Sequence, residues 1–263
     1  MSILNRYWRI LGTGISFSVF GLGGLFMATI WLPMVFKVQR DPEKAKLAVQ
    51  GSICRSFGLF LLLMRVLRVI DYRIDGADVL KGDRRCLIVS NHPTLIDMVL
   101  IGSTLDHGYC IVKEALWNNP FLKGAAKAVG YIPNSEGIAL LNRCRETLGD
   151  QGVLVIFPEG TRTTPNQPIK LQRGAANIAV RLNYNVRVVN IRCEPLTLIK
   201  GESWYQVPRR RPFWTVEVKE LIEVHRFVED APSLSAAARR LNTYLAEVLV
   251  PPHPTTILES PSS

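Results

Sequence analysis

The chain carries little equipment for covalent chemistry. It has four histidines and five cysteines in 263 residues. There is no G-x-S-x-G elbow, and no serine or cysteine stands in a recognisable nucleophile setting. There is no C-x-x-C pair, no H-E-x-x-H and no other plausible ligand cluster, so no metal is expected. The cysteines, at 54, 86, 110, 144 and 193, are odd in number and scattered. They read as reduced thiols of a protein facing the cytoplasm. Acidic residues are also in deficit: 32 Lys and Arg against 22 Asp and Glu give 32 − 22 = +10. A basic surface suits nucleic acid, anionic lipid or acidic carriers. Nothing resembles a nucleic-acid module, and the aromatics are not interleaved with the basic residues, which leaves membranes and acidic carriers. No internal repeat is visible.

Charge is missing altogether from residues 10–36. That length can cross a bilayer. Arg6 and Arg9 precede it, Lys37 and Arg40 follow it, and Tyr7, Trp8 and Trp31 suit the interfaces. Gly12, Gly14, Gly21, Gly23, Gly24 and Pro33 predict a kinked or re-entrant segment. A cleaved signal peptide fits poorly, because the run is too long and no small-x-small site follows. Residues 1–40 are therefore expected to form an N-terminal membrane anchor with a single span. Residues 41–70 begin with the helix start Asp41-Pro42-Glu43. Between Arg55 and Arg68 an apolar run too short to span reads either as an interfacial helix with snorkelling arginines or as a core helix.

From residue 71 the pattern alternates. Residues 72–74, 109–113, 131–133, 186–193 and 213–218 read as strands. Residues 118–129, a segment capped by Ser135, residues 174–182 and residues 234–248 read as helices. Alternation of this kind predicts an α/β fold, a mainly parallel sheet covered by helices, over 71–250. Residues 251–263 are a polar, proline-rich, flexible tail.

Two stretches share one layout. Residues 86–97 read CLIVSNHPTLID: a buried-strand run, a turn cluster at Ser90-Asn91-His92-Pro93, then a helix expected to begin near Pro93. His92 thus sits at the C-terminal tip of a strand, where open α/β sheets place their sites. Asp97 follows about one turn along and can hold the ring. A base held by a carboxylate, with no nucleophile beside it, suits general-base chemistry on a hydroxyl supplied by a substrate. A hydrogen-bonded pair with no chemical role fits the same residues. Residues 153–163 read VLVIFPEGTRT: again a strand run, then Pro158 and the cluster Glu159-Gly160-Thr161-Arg162. Gly160 allows a close backbone approach, and Arg162 offers a planar fork for phosphate or carboxylate. A polar turn with a local Glu–Arg pair fits these residues equally well.

Taken together, the two stretches resemble the glycerolipid acyltransferases, typified by 1-acylglycerol-3-phosphate acyltransferase. His92 with Asp97 matches the family's H-x-x-x-x-D motif, and Phe157 to Arg162 matches F-P-E-G-T-R. Lys113, Trp117, Pro120, Gly124, Gly130 and Ile132 resemble the linking pattern. Arg173-Gly174-Ala175 resembles a basic-Gly-small segment. The likeness covers roughly residues 70 to 225. It implies acyl transfer from a thioester, acyl-CoA or acyl carrier protein, to the hydroxyl of a lysophospholipid at a membrane, with no resident cofactor. His92 and Asp97 would be catalytic. Glu159, Gly160, Thr161, Arg162 and Arg173 would bind substrate, with the backbone N–H groups of Gly160 and Thr161 as candidates for the oxyanion. The domain would face the cytoplasm at the inner membrane, where acyl donors are. One departure bears on the acceptor. The strand after Gly130 usually ends in an arginine that helps hold its phosphate, but residues 131–135 carry no basic group. That keeps a non-phosphate acceptor open, such as an amino-acid lipid or another lyso-lipid. Thioester hydrolysis and a non-catalytic membrane scaffold stay open as well. Arg209-Arg210-Arg211 reads as a solvated loop or a contact for anionic headgroups.

Overall fold

Among the described residues, seven runs rich in branched and aromatic residues pair into one sheet. They are β1 (Asp71–Asp75), β2 (Cys86–Ser90), β3 (Tyr109–Val112), β4 (Ile132–Pro133), β5 (Val153–Ile156), β6 (Asn185–Glu194) and β7 (Phe213–Ile222). The spatial order is β1-β7-β6-β2-β5-β3-β4. Every pairing is parallel except β6 with β7. The structure, a computed structural model, describes residues 3–112, 130–134, 137–149, 152–163 and 170–249. Four expectations lie outside those residues: the linking residues Lys113, Trp117, Pro120 and Gly124, the helix at 118–129, the Ser135 cap and the tail at 251–263.

The helices are α1 (Ile3–Phe26), α2 (Leu32–Val38), α3 (Pro42–Val66), α4 (Ala77–Gly82), α5 (Asp97–Gly102), α6 (Gly137–Leu148), α7 (Gly174–Leu182), α8 (His225–Val228) and α9 (Leu234–Leu249). Side-chain alternation along β2 sorts the core into two layers. Leu87 and Val89 join Leu154 and Ile156 under α6, α7 and α9, through Cys144, Ala176, Ala179, Leu241 and Leu245. Ile88 and Val155 face the other way and meet Leu61 and Met64 of α3 and Leu100 and Ile101 of α5. The α/β sheet with helices on both faces is the architecture the alternation predicted. The antiparallel β6–β7 pair was not anticipated, nor was α4, a single short helix entered through Gly76 at φ 88°.

The N-terminal region differs more. In residues 41–70, α3 runs unbroken for 25 residues, well beyond the short apolar run between Arg55 and Arg68. Asp41 caps it by accepting from the backbone N–H groups of Glu43 and Lys44 at 3.0 and 3.3 Å. Lys44 and Arg55, which interrupt the apolar run in the sequence, point to solvent while Ala45, Val49, Phe60, Leu61 and Met64 are buried. Gly102 of α5 lets Phe57 approach, since a Cβ there would lie 2.7 Å from its ring. The first segment, expected to be kinked or re-entrant, carries a π-helical stretch, Met27–Trp31, between α1 and α2. Phe17 and Phe20 of α1 lie 5.7 and 4.6 Å from Phe60 of α3, and the Trp31 indole N–H donates to Ser52 Oγ at 3.1 Å. Both helical segments, Leu4–Val38 and Pro42–Val66, are long and apolar enough to cross a membrane. Leu4, Leu11, Val19, Leu22, Leu25 and Phe26 of α1 and Leu59, Leu62 and Val66 of α3 are all exposed. Apolar surface of that extent marks a membrane or partner contact.

Candidate active site

The site is built where β2 and β5 end together. Their register runs from Cys86 opposite Val153 to Val89 opposite Ile156, so both motif turns leave the sheet side by side. At the β2 tip, Asn91 is clamped to β6. Its side-chain amide donates to the Ile191 carbonyl at 2.8 Å and accepts from the Ile191 N–H at 2.7 Å. That fixes the backbone leading into His92. The helix expected near Pro93 begins later, with α5 at Asp97; residues 93–96 form the turn that bends Asp97 back toward the ring.

His92 Nδ1 lies 2.8 Å from Asp97 Oδ2. Asp97 is wholly buried, whereas the His92 side chain keeps 19 % of its exposure. Oδ2 of Asp97 also accepts the Thr94 N–H at 2.6 Å, and Oδ1 accepts the Thr94 hydroxyl. The Trp214 indole N–H donates to Thr94 Oγ1 at 3.0 Å, so the Thr94 proton is free only to point at Asp97. Burial pushes the Asp97 carboxyl above the usual carboxylate range, while the bonds from His92 and Thr94 oppose that rise. Every polar neighbour presents a donor, which is the environment of an ionised carboxylate. The Nδ1–H is thereby directed at Asp97, and Nε2 is left as the basic nitrogen. Phe157, the first residue of the second motif, stacks on the imidazole at 4.2 Å between centroids and fixes its plane.

The β5 tip is aimed inward, at the β2 tip. Glu159 accepts the backbone N–H of His92 at 2.8 Å, and the Thr163 hydroxyl spans both of its oxygens at 3.0 and 2.8 Å. The Thr163 N–H returns the tie by donating to the His92 carbonyl at 2.8 Å. Gly160, at φ 69°, makes the turn that only glycine adopts readily. Its N–H donates to the Phe157 carbonyl at 3.1 Å, which corrects the expectation that it is available to an oxyanion. Among the described residues the Thr161 N–H has no such bond, so it is the candidate left. Arg162 Nη1 donates to the carbonyls of Leu198 and Ile199 at 3.0 and 3.1 Å, so the loop between β6 and β7 sets the plane of its fork. Arg173 is exposed at the N-terminal cap of α7. It follows Gln172, whose N–H donates to the Pro158 carbonyl at 2.6 Å, and so sits next to the turn. Among the described residues no group of His, Cys, Asp and Glu could hold a metal.

The sequence expectation brought His92, Asp97, Glu159, Gly160, Thr161 and Arg162 into one place, and they are there. It missed Thr94, Thr163 and Trp214. Thr94 had a legible signal, because Thr-x-x-Asp is the spacing of a capping box. Trp214 had none, since it arrives from a strand 120 residues away.

Residues 71–194 match the family model described as Acyltransferase. A stretch of 122 residues is 32 % identical to the 1-acyl-sn-glycerol-3-phosphate acyltransferase of Helicobacter pylori, covering 44 % of this chain and 48 % of that protein. Over 195 residues it is 27 % identical to 1-acyl-sn-glycerol-3-phosphate acyltransferase alpha of Ovis aries, covering 71 % and 62 %. The chain thus spans just under half of the first relative's length and just under two thirds of the second's. In fold it is similar to the 1-acyl-sn-glycerophosphate acyltransferase PlsC of Thermotoga maritima, with a TM-score of 0.68, 22 % identity and 95 % of each chain covered. A histidine–aspartate pair on one strand tip, tied to a Glu-Gly-Thr-Arg turn on the next, lies within the segment that is similar to the acyltransferases.

Proposed function

We propose that this protein moves a fatty acyl group from a thioester, acyl-CoA or acyl carrier protein, to the hydroxyl of a lysophospholipid such as 1-acylglycerol-3-phosphate. The observation that carries the reading is the His92–Asp97 pair, with Nδ1 against a wholly buried carboxylate and the imidazole itself partly exposed. The acceptor hydroxyl gives its proton to His92 Nε2 as its oxygen attacks the thioester carbonyl. The C–S bond then breaks, and the departing sulfur takes the proton from the imidazolium. Asp97 holds the tautomer and stabilises the charged ring. A thioester is already activated, so no acyl-enzyme is needed and no serine or cysteine nucleophile is called for. The Thr161 N–H is the proposed donor to the tetrahedral oxyanion. Arg162 clamps the acceptor phosphate with the donors its carbonyl contacts leave over, and Arg173 shares that charge. The exposed apolar faces of α1 and α3 seat the domain on the membrane, with the site toward the cytoplasm, where the donors are. Neither a metal nor a resident cofactor enters the scheme.

A second reading concerns the acceptor alone. Residues 131–134 bring no basic side chain to the end of β4, and Asn134 is exposed there. A doubly charged phosphate would meet one strong clamp where two are expected, which favours an amino-acid lipid or another lyso-lipid without a phosphomonoester. The test is the full chain in lipid vesicles with one acyl thioester and a panel of lyso-lipids, read by mass spectrometry. Phosphatidic acid as the main product supports the first reading. Faster acylation of acceptors without a phosphomonoester selects the second. Free fatty acid as the sole product overturns both.

A further inference from the structure

A buried arginine sits in the first apolar helix, where a charge is costly unless it is fully paired. Arg9 of α1 is 1 % exposed. Its guanidinium donates to three successive carbonyls, Pro208 and Arg209 at 2.6 and 2.8 Å through Nη2 and Arg210 at 2.6 Å through Nη1. These belong to the loop between β6 and β7, about 200 residues later in the chain. Three consecutive carbonyls can converge on one side chain only if the backbone curls around it, so the fork defines the shape of that loop. The same loop reaches the active site at its other end. The Leu198 and Ile199 carbonyls hold Arg162, and the Leu198 carbonyl also accepts the N–H of Leu95 in the turn between His92 and Asp97. Between the two ends, Arg9 and Leu198 line one small cavity with Trp214, the residue that bonds Thr94. Trp204, near the loop's middle, lies against α1 where Gly14 has no side chain; a Cβ there would be 3.2 Å from the indole.

We infer that Arg9 is a positioning residue for acceptor binding: it clamps the loop between β6 and β7 and, through that loop, sets the orientation of Arg162. The inference rests on the reading of Arg162 as the acceptor's anion clamp. Arg9 touches no substrate. It couples the seating of the apolar helix to the geometry of the acceptor site. Without its fork the Pro208, Arg209 and Arg210 carbonyls lose their common partner, the loop relaxes, and Arg162 loses its fixed plane. Acceptor affinity falls, while the His92–Asp97 pair keeps the Asn91 and Thr94 bonds that hold it from outside the loop.

The experiment compares native protein, Arg9→Ala, Arg9→Lys, Arg162→Ala and the double variant Arg9→Ala/Arg162→Ala, each as full chain in detergent micelles. Limited trypsin digestion without substrate comes first, because Lys200, Arg209 and Arg210 are exposed in the loop. Faster cutting at those three sites in Arg9→Ala, with other sites unchanged, is expected. Steady-state kinetics follow. The acceptor KM should rise about five- to tenfold in Arg9→Ala, with kcat and donor KM within about twofold, the size of effect that acts through intermediate residues. Arg9→Lys keeps the charge without the fork and should fall between. In the Arg162→Ala background, Arg9→Ala should add less than about twofold, because the two act through one group. Equal effects of Arg9→Ala in both backgrounds, or an unchanged acceptor KM with unchanged loop cutting, overturn the inference. If Arg9→Ala does not fold, Arg9→Lys and its double variant with Arg162→Ala carry the same comparison. Faster loop cutting together with a normal KM in Arg162→Ala itself would show that the anion-clamp reading is what failed.

Discussion

The tips of β2 and β5 lie side by side in register and look alike in the sequence, yet their side chains serve different ends. At the β2 tip the side chains of His92 and Asp97 bond each other, and the imidazole keeps one nitrogen for a ligand. At the β5 tip the Glu159 carboxylate is occupied by the backbone of the other turn and by Thr163. On the proposed reading the β2 tip carries the base, while at the β5 tip Glu159 holds the backbone of His92 in place and Arg162 meets the acceptor. A charged residue in a strand-end motif is thus not by that fact a substrate ligand. What its donors and acceptors already bond decides the matter.

Substitutions can break or sharpen this contrast. The largest expected effect is His92→Ala, a fall in kcat of at least about two orders of magnitude with the fold intact, because general-base catalysis contributes that much. Near-native turnover by a folded His92→Ala protein would end the base assignment. Asp97→Asn should come next and stay within reach of it, since an amide facing Nδ1 favours the wrong tautomer; a pre-steady-state acyl-transfer rate is the direct measurement. Arg162→Ala should act on the acceptor, raising its KM by roughly one to two orders of magnitude for a phosphate-bearing lyso-lipid, from the loss of about 1.5–3 kcal/mol of charged hydrogen bonding. If kcat fell instead and KM held, Arg162 would belong with the β2 tip. Glu159→Ala should appear chiefly as stability, about 1–3 kcal/mol by denaturant titration, because the His92 N–H is left without its acceptor. Arg173→Ala should be smallest, a rise in acceptor KM of no more than about threefold, as befits an exposed charge.

Much of this was open to inspection in the sequence. The α/β architecture, the strands bearing the motifs and the meeting of His92 with Asp97 followed from short apolar runs ended by turn residues. The partners that arrive from far along the chain did not. Trp214 reaches Thr94, and Leu198 and Ile199 reach Arg162, because β6 and β7 fold back on each other as an antiparallel pair, and nothing local announces that contact. The extent of α3 was hidden for a different reason. Lys44, Arg55 and Arg65 break the hydrophobic run in one dimension but point away from the buried face of the helix in three. The N–H of Gly160 illustrates a third cause, since a turn's internal hydrogen bond is a property of backbone geometry and leaves no mark on residue type.

The central place of β2, with β6 on one side and β5 on the other, has a consequence for measurement. The peptide groups of Leu87, Ile88 and Val89 are enclosed by strands on both edges and by helices on both faces. Their amide hydrogens should exchange with solvent deuterium only when the whole domain opens, so their exchange rate reads the global free energy of unfolding. His92 follows two residues after this strand. A single deuterium-uptake experiment on the peptide that covers both therefore separates two kinds of variant: one that loses turnover with its strand amides still protected has lost chemistry, and one whose strand amides take up deuterium has lost its fold.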